Sequence, residues 1–376
     1  MTPDSAGFVT VDVACCSQPW LNLRRFRNEI SPAAVPGKVT PLAPGTCLVD
    51  AYYGQAFDFE VQGGLAIYGA TPDLPAYPGE ENCFGFLRVP YRRIPRIQVK
   101  SRAELDGVVN AALHRPDGRG LLFRGQTREY DLGRPPAALK SLYGDPQALE
   151  PSLIASASRN GVQLEVILPE WCAILRMFLA WVGTMYRQKS DPTLSDFTSG
   201  LQKVCSDFDL HLLAISLAQH YGLPSMGLDV TDNLDVALFF ALSEFDTSVP
   251  GLLRQRRKPV GSGKSVLYLF APWERFQLNY LDYCPPGFPS GRPDRQRARF
   301  LHTGWGLSRN ACARQLVMAI YLDPADDFGE LPETTHLFPS PDDDPFGRFI
   351  NAVRSNWDLS EELRKFLGYL YWVSRG

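Results

Sequence analysis

Two polar constellations lie inside otherwise apolar stretches of this chain. The first is Arg124, in the middle of Leu121-Leu122-Phe123-Arg124-Gly125-Gln126. Burying an isolated guanidinium in a strand is very costly, so it must be paired or face a polar cleft. Its planar fork suits a phosphate or a carboxylate through two parallel hydrogen bonds. A structural pair with an aspartate near position 229 answers the same pattern. The second constellation lies within residues 212–244, where Gln219, His220 and Tyr221 close one apolar segment and Asp229, Thr231, Asp232, Asn233 and Asp235 open the next. Polar side chains gathered at the ends of buried elements point to the lining of a site. His220 suits a general base or a hydrogen-bond donor, and equally a satisfied structural histidine.

Other chemistries lack their signatures. Asp229, Asp232 and Asp235 have a spacing better suited to helix capping and buried hydrogen bonds than to a metal, so no metal site is expected. Gly261-Ser262-Gly263-Lys264-Ser265 resembles part of a phosphate loop, but it lacks the first glycine and precedes a strand instead of a helix. No nucleophile elbow, zinc-protease helix or kinase set is present. Eight cysteines at 15, 16, 47, 83, 172, 205, 284 and 312 form no C-x-x-C. They read as reduced thiols and imply a cytoplasmic protein.

The elements that must position these residues read as follows. Residues 1–95 are rich in Gly, Pro and aromatics and read as short strands and irregular loops of unknown role. Ile97-Gln98-Val99 is expected as a strand, followed by a helix behind the capping box Ser101-Arg102-Ala103-Glu104. Residues 120–126 form a strand breaking at Gly125. Helical runs follow over 162–188 and 207–221, the first an apolar and aromatic stripe that is core. A short strand over 226–230 leads to a helix over 234–245, capped by Asp232 or Asn233. Residues 254–264 read as a basic, mobile loop, and Arg292, Arg295, Arg297 and Arg299 as a second basic cluster. Strands are expected at 265–270 and 315–322, an acidic loop at 342–344 and a final helix at 359–373. This order lacks a regular strand-helix-strand rhythm, so an α+β fold is expected.

With 376 residues, 45% hydrophobic and 21% charged, the chain can bury a substantial core. A net charge of −3 creates no global basic field to recruit nucleic acid. No apolar run reaches the ~20 residues of a membrane span, and the N-terminus does not read as a signal peptide.

Four ordered motifs resemble the FRG domain family, named for its Phe-Arg-Gly tripeptide. They are Phe123-Arg124-Gly125-Gln126, Pro151-Ser152-Leu153, Ala218 to Pro224, and Leu228-Asp229-x-Thr231-x-Asn233 continuing to Ala237-Leu238-Phe239-Phe240-Ala241. Where the family usually has Thr-Arg-Leu-Leu-Asp-Trp, this chain has Ser225-Met226-Gly227-Leu228-Asp229-Val230. The resemblance places an FRG domain at 96–322, leaving 323–376 to pack on it. The arrangement is also similar to a divergent ADP-ribosyltransferase, which implies a split β-sheet core with inserted helices. On that resemblance Arg124, with Gly125 and Gln126, holds the NAD phosphates. Gln219, Thr231 and Asn233 belong to the cofactor wall, and Tyr221 or Phe239 stacks on nicotinamide. His220, Asp229 and Gln315 are the candidate catalytic residues. Gln315 opens the strand on which such enzymes usually present a glutamate, and Glu129, Glu244 and Asp229 are the candidate carboxylates. The implied activity is NAD-dependent ADP-ribosylation of a macromolecule, nucleic acid favoured over protein, as in a bacterial toxin or defence effector with an unknown antitoxin partner. The alternative is a non-catalytic nucleotide- or ligand-binding module with the same cleft.

Overall fold

A computed structural model of the chain describes residues 4–12, 40–61, 63–69, 83–114, 120–160, 164–188, 195–199, 207–221, 224–246, 252–272, 277–278, 288, 291–302, 308–340, 343–356, 358–361, 363 and 372–373. The fold is mixed α and β, built on a mixed eight-stranded sheet. The central strand is β10 (Ser265–Phe270), in which all six residues are buried. A continuous apolar run of this kind is what a strand covered on both faces requires. It pairs antiparallel with β6 (Leu122–Gln126) on one side and with β13 (Leu316–Asp327) on the other. Beyond β13 lie β5 (Arg92–Ser101), parallel to it, and β4 (Gly85–Val89). Beyond β6 lie β7 (Gly227–Thr231), β12 (Ala298–His302) and β11 (Gln277–Leu278). The boundary expected near residue 95 falls within β5.

Side chains alternate across this sheet with a period of two. Phe123, Leu267, Leu269, Ile320 and Leu322 face α1 (Arg102–Leu113) and α6 (Leu234–Leu242). Leu122, Val266, Tyr268, Phe270 and Tyr321 face the other way, onto α2 (Pro136–Tyr143) and aromatics of the N-terminal region, including Phe8, Tyr53, Phe57 and Tyr68. That region has its own three-stranded sheet of β1 (Phe8–Asp12), β2 (Thr46–Asp50) and β3 (Gln55–Phe57). Next in chain order come the short α3 (Ser156–Asn160) and the long α4 (Leu164–Gln188). The apolar stripe of α4 packs with α5 (Asp207–Ala218) and α9 (Pro345–Asn356), around Trp171, Phe178 and Phe346.

The caps are those the sequence signals. Ser101 Oγ accepts from Glu104 N–H, while Glu104 Oε2 accepts from Lys100 N–H, one residue before the cap. At α6 the cap is Asn233, whose Oδ1 accepts from the N–H groups of Asp235 and Val236.

Two expectations are corrected. The helix expected over 234–245 stops at Leu242, and Ser243–Asp246 forms β8. The expected basic loop starts as β9 (Leu252–Arg257), antiparallel to β8, because Glu244 and Asp246 stand opposite Arg256 and Arg254. Within the second arginine cluster, Arg292–Arg295 is the one-turn α7, and Arg299 lies on β12. The helix expected over 359–373 falls largely outside the described residues, and Trp372–Val373 (β14) pairs with β9. A one-turn helix, Thr334–Leu337 (α8), lies near α7. Among the described residues no helix is long and apolar enough to cross a membrane.

Candidate functional site

The strands β6 and β7 share a single registered pair, Phe123 with Thr231, and then diverge. The sheet therefore gapes beside Arg124. Its Nη1 donates to the Asp229 carbonyl at 2.6 Å, so a side chain bridges the two strands where a ladder bond would otherwise lie. The wedge holds a cavity of about 200 Å³ whose polar lining includes Arg124, Gln219, His220, Asp229, Thr231 and Gln296. Phe123, Val236, Ala237 and Phe240 supply its apolar wall. Gly125 lets α6 lie directly on β6. A Cβ there would come 1.9 Å from the Ala237 carbonyl oxygen and 2.6 Å from Ala241 N.

His220 sits in the 3-10 turn Gln219–Tyr221, fixed from behind by buried Arg292, whose Nη1 donates to the His220 carbonyl at 2.7 Å. Its Nε2 lies 3.6 Å from Asp229 Oδ1. That is too long for a hydrogen bond but close enough for an ion contact when the imidazole is protonated. Asp229 keeps 30% of its side-chain accessibility, and it opens into the cavity, among atoms dense enough that the carboxylate is poorly solvated. Burial raises its carboxyl above the ordinary carboxylate range, opposed by His220 and Arg124. Burial likewise lowers the Arg124 guanidinium; Asp229 opposes this, and Arg159 lowers it further. Asp229 Oδ1, Arg124 Nε, Gln126 Oε1 and Tyr268 Oη are buried without a hydrogen-bond partner. A buried unpaired polar atom costs roughly 1–3 kcal/mol, and Asp229 and Arg124 line the inner cavity and Gln126 the adjoining hollow, which marks a place built to receive polar atoms.

A second, more open hollow of about 890 Å³ adjoins the first and shares Arg124, Gly125 and Phe240 with it. Gln126, Tyr130, Arg159, Glu244, Arg254 and Arg256 also line it.

Of the sequence candidates, Arg124, Gly125, Gln219, His220, Asp229 and Thr231 line the inner cavity, and Gln126 lines the outer one. Several of them already have structural duties. Thr231 Oγ1 donates to backbone carbonyls at Gln296 and Arg297 and accepts from Asn233 N–H. Gln219 Oε1 accepts from Ser225 Oγ at 2.5 Å.

Four candidates lie elsewhere. Tyr221 is fully buried among helices and donates to Asp344 Oδ1 at 2.9 Å, with Arg292 over its ring. Asn233 is spent on the α6 cap. Phe239 packs on Val236, Leu337 and Phe338 on the far side of that helix, and its neighbour Phe240 faces both hollows. Gln315 ends the 3-10 turn Ala311–Gln315, and its carbonyl accepts from Ala271 N–H, so it lies at the foot of β13 outside the cavity. The β13 residue level with Arg124, across Tyr268, is Ala319, so no carboxylate stands there. Of the three candidate carboxylates, Glu129 pairs with Arg96 at 3.0 Å, Glu244 with Arg256 at 2.7 Å, and only Asp229 faces the inner cavity.

Sequence reading missed Gln296 and Arg159. Gln296 follows α7 across a gap of 65 residues from Thr231, and Arg159 stands on a one-turn helix with no periodic signal. Among the described residues no group of three or more His, Cys, Asp or Glu could hold a metal.

Residues 144–248 match the FRG domain family. This span contains the Pro151–Leu153, Ala218–Pro224 and Leu228–Ala241 motifs and starts after Phe123-Arg124-Gly125. No curated protein and no solved structure matches the chain.

Proposed function

We propose, with an FRG-type domain over 144–248 as premise, that the β6–β7 cleft binds NAD and cleaves its bond to nicotinamide, transferring ADP-ribose to a macromolecule. One observation carries this reading: Arg124, from one stretch of sequence, and His220 and Asp229, from another, converge on one cavity with unpaired buried polar atoms. Ligand pockets typically enclose ~300–1,000 Å³. The inner cavity alone, at about 200 Å³, suits one ring and its sugar, while the outer hollow at about 890 Å³ takes the remainder of a dinucleotide.

In this assignment the nicotinamide-bearing ribose lies inside, against Asp229, with Phe240 beside the ring. The glycosidic C–N bond breaks with both electrons leaving on nicotinamide, and positive charge develops on the sugar. Asp229, desolvated by burial in a narrow cavity, offers a negative charge at that point. The acceptor nucleophile then bonds to the sugar carbon, and its proton passes to His220 or to solvent. Arg124 supplies the phosphate contact at the mouth of the cavity.

The second reading is a binding module with the same cleft. It draws on Ala319 and the displaced Gln315, which leave the third strand without a carboxylate. One assay separates the two: the full chain is incubated with adenine-labelled NAD plus DNA, RNA or a protein lysate, and nicotinamide release and label transfer are followed. Transferase activity predicts release that falls at least ~100-fold in Asp229→Asn, the usual scale for a lost catalytic side chain. Binding of NAD or ADP-ribose with no release selects the module. Neither binding nor release excludes both.

A further inference from the structure

The outer hollow carries an uneven distribution of charge. Four arginines line it, Arg124, Arg159, Arg254 and Arg256, against two carboxylates, Glu244 and Asp246. Both carboxylates are engaged with β9. Glu244 Oε2 accepts from Arg256 Nη2 at 2.7 Å and Nε at 3.0 Å, and Asp246 stands opposite Arg254 in the β8–β9 register. This leaves Arg124 and Arg159. Among the described residues Arg124 hydrogen-bonds the backbone carbonyl of Asp229 alone, and its Nε is buried without a partner. Arg159, exposed at the end of α3, forms no ion pair with any described residue. The two guanidiniums are close enough to disfavour each other's charge. Asp229 offsets part of the Arg124 charge, and an anion with two charged oxygen groups set apart, which a bidentate fork recognises, would hold both guanidiniums at once.

We propose that Arg124 and Arg159 form a two-arginine clamp for a diphosphate at the junction of the inner and outer hollows, with Arg159 as the residue that selects phosphorylated ligands. The clamp deepens the NAD reading and rests on it for the identity of the whole ligand, but its own chemistry is that of the diphosphate alone. Arg124 grips from the rigid strand side. Arg159 closes from a short helix whose backbone is tied to the site, since Ala157 N–H donates to the Ser225 carbonyl and Ser156 Oγ accepts from Ser225 N–H.

The test is calorimetric titration of the full chain with inorganic pyrophosphate, ADP, ADP-ribose and adenosine, in wild type, Arg159→Ala, Arg159→Lys and Arg187→Ala. Wild type binds pyrophosphate and ADP, and adenosine at least about tenfold more weakly, as expected for loss of charge-assisted hydrogen bonds. Arg159→Ala weakens pyrophosphate and ADP by about tenfold or more and leaves adenosine unchanged, with partial rescue in Arg159→Lys, which keeps the charge but not the fork. Arg187→Ala, exposed on α4 and lining neither hollow, changes diphosphate affinity less than about twofold. The clamp is overturned if wild type binds no pyrophosphate or ADP, if adenosine binds as tightly as ADP, or if Arg159→Ala binds pyrophosphate like wild type. Retained thermal unfolding of each variant separates loss of the clamp from loss of the fold. The two proposals fail separately: pyrophosphate binding without NAD consumption keeps the clamp and sinks the transferase, whereas NAD consumption untouched by Arg159→Ala does the reverse.

Discussion

Two arginines organise this protein, Arg134 buried and Arg124 half-buried, and they are satisfied in opposite ways. Arg134, beneath the N-terminal sheet, donates from Nη2 to both oxygens of Asp50 at 2.7 Å, and its Nη1 donates to the Ala6 carbonyl at 2.6 Å. Its Nε lies 2.8 Å from Glu150 Oε2, an ion contact not aligned as a hydrogen bond. Tyr68 donates to Asp50, Tyr143 donates to Glu150, and the ring of Tyr52 stacks on the guanidinium. No side chain of the Arg134–Asp50–Glu150 group exceeds 1% exposure. Arg124, by contrast, reaches one carbonyl and leaves Nε unpaired beside a cavity. Closure at Arg134 joins residues 6, 50, 134 and 150 into one structural node. The gap at Arg124 keeps hydrogen-bonding capacity in reserve, and such unsatisfied polarity is where stability is given up for binding.

The largest effect should come from breaking the closed node. Arg134→Ala strands two buried carboxylates and should cost about 3–5 kcal/mol in urea-induced unfolding. A loss below about 1 kcal/mol would mean that the node is solvated and the contrast unfounded.

The node also has a pH signature. One guanidinium faces two carboxylates, and Glu150 is pushed from 4.5 to about 7, first by burial and further by Asp50, against the pull of Arg134. The folded chain therefore retains a proton that the unfolded chain has released above its ordinary carboxylate pKa. Stability should fall as pH rises through the window from 4.5 to about 7, by an amount on the order of 3 kcal/mol at most. Glu150→Gln should flatten that slope in unfolding curves taken between pH 5 and about 8. An unchanged slope would remove Glu150 as its source.

On the cleft side, the structural requirement is Gly125. Gly125→Ala drives a methyl group into the α6 backbone and should cost about 1–3 kcal/mol or more, read as a lower midpoint of thermal unfolding. Wild-type stability would mean that α6 stands further from β6 than described.

The smallest effect on stability belongs to Asp229→Asn. Its carboxyl is raised by burial, so its charge opposes folding above the shifted pKa, and the neutral amide should unfold within about 1 kcal/mol of wild type or later. Ligand turnover should nevertheless collapse. A strongly destabilised Asp229→Asn would make Asp229 a second structural anchor, like Asp50.

These contrasts explain what was legible in the sequence. Arg124 stood out because a charge in an apolar strand is costly, and Asp229 and His220 because they end buried runs. The capped starts of α1 and α6, the central strand at 265–270 and the apolar stripe of 164–188 carry strong local patterns. Non-local placement was hidden. Nothing in residues 1–95 reveals that Asp50 meets Arg134, since the partners are 84 positions apart. Gln315 was expected in the cleft because it opens a strand, yet register puts Ala319 level with Arg124. Tyr221 and Phe239 adjoin lining residues but point to the opposite side, which chain position alone does not determine. Residues 254–257 looked like a loop because their charges were read without Glu244 and Asp246 opposite them.

The central claim is that the Arg124 cluster receives a ligand and the Arg134 cluster does not. The most direct test is the shift in unfolding temperature caused by saturating NAD in wild type, Arg124→Lys and Glu150→Gln. Equal stabilisation of wild type and Glu150→Gln is expected, and none for Arg124→Lys, whose single ammonium cannot replace the fork. No shift in wild type, or the same shift in Arg124→Lys, would contradict it.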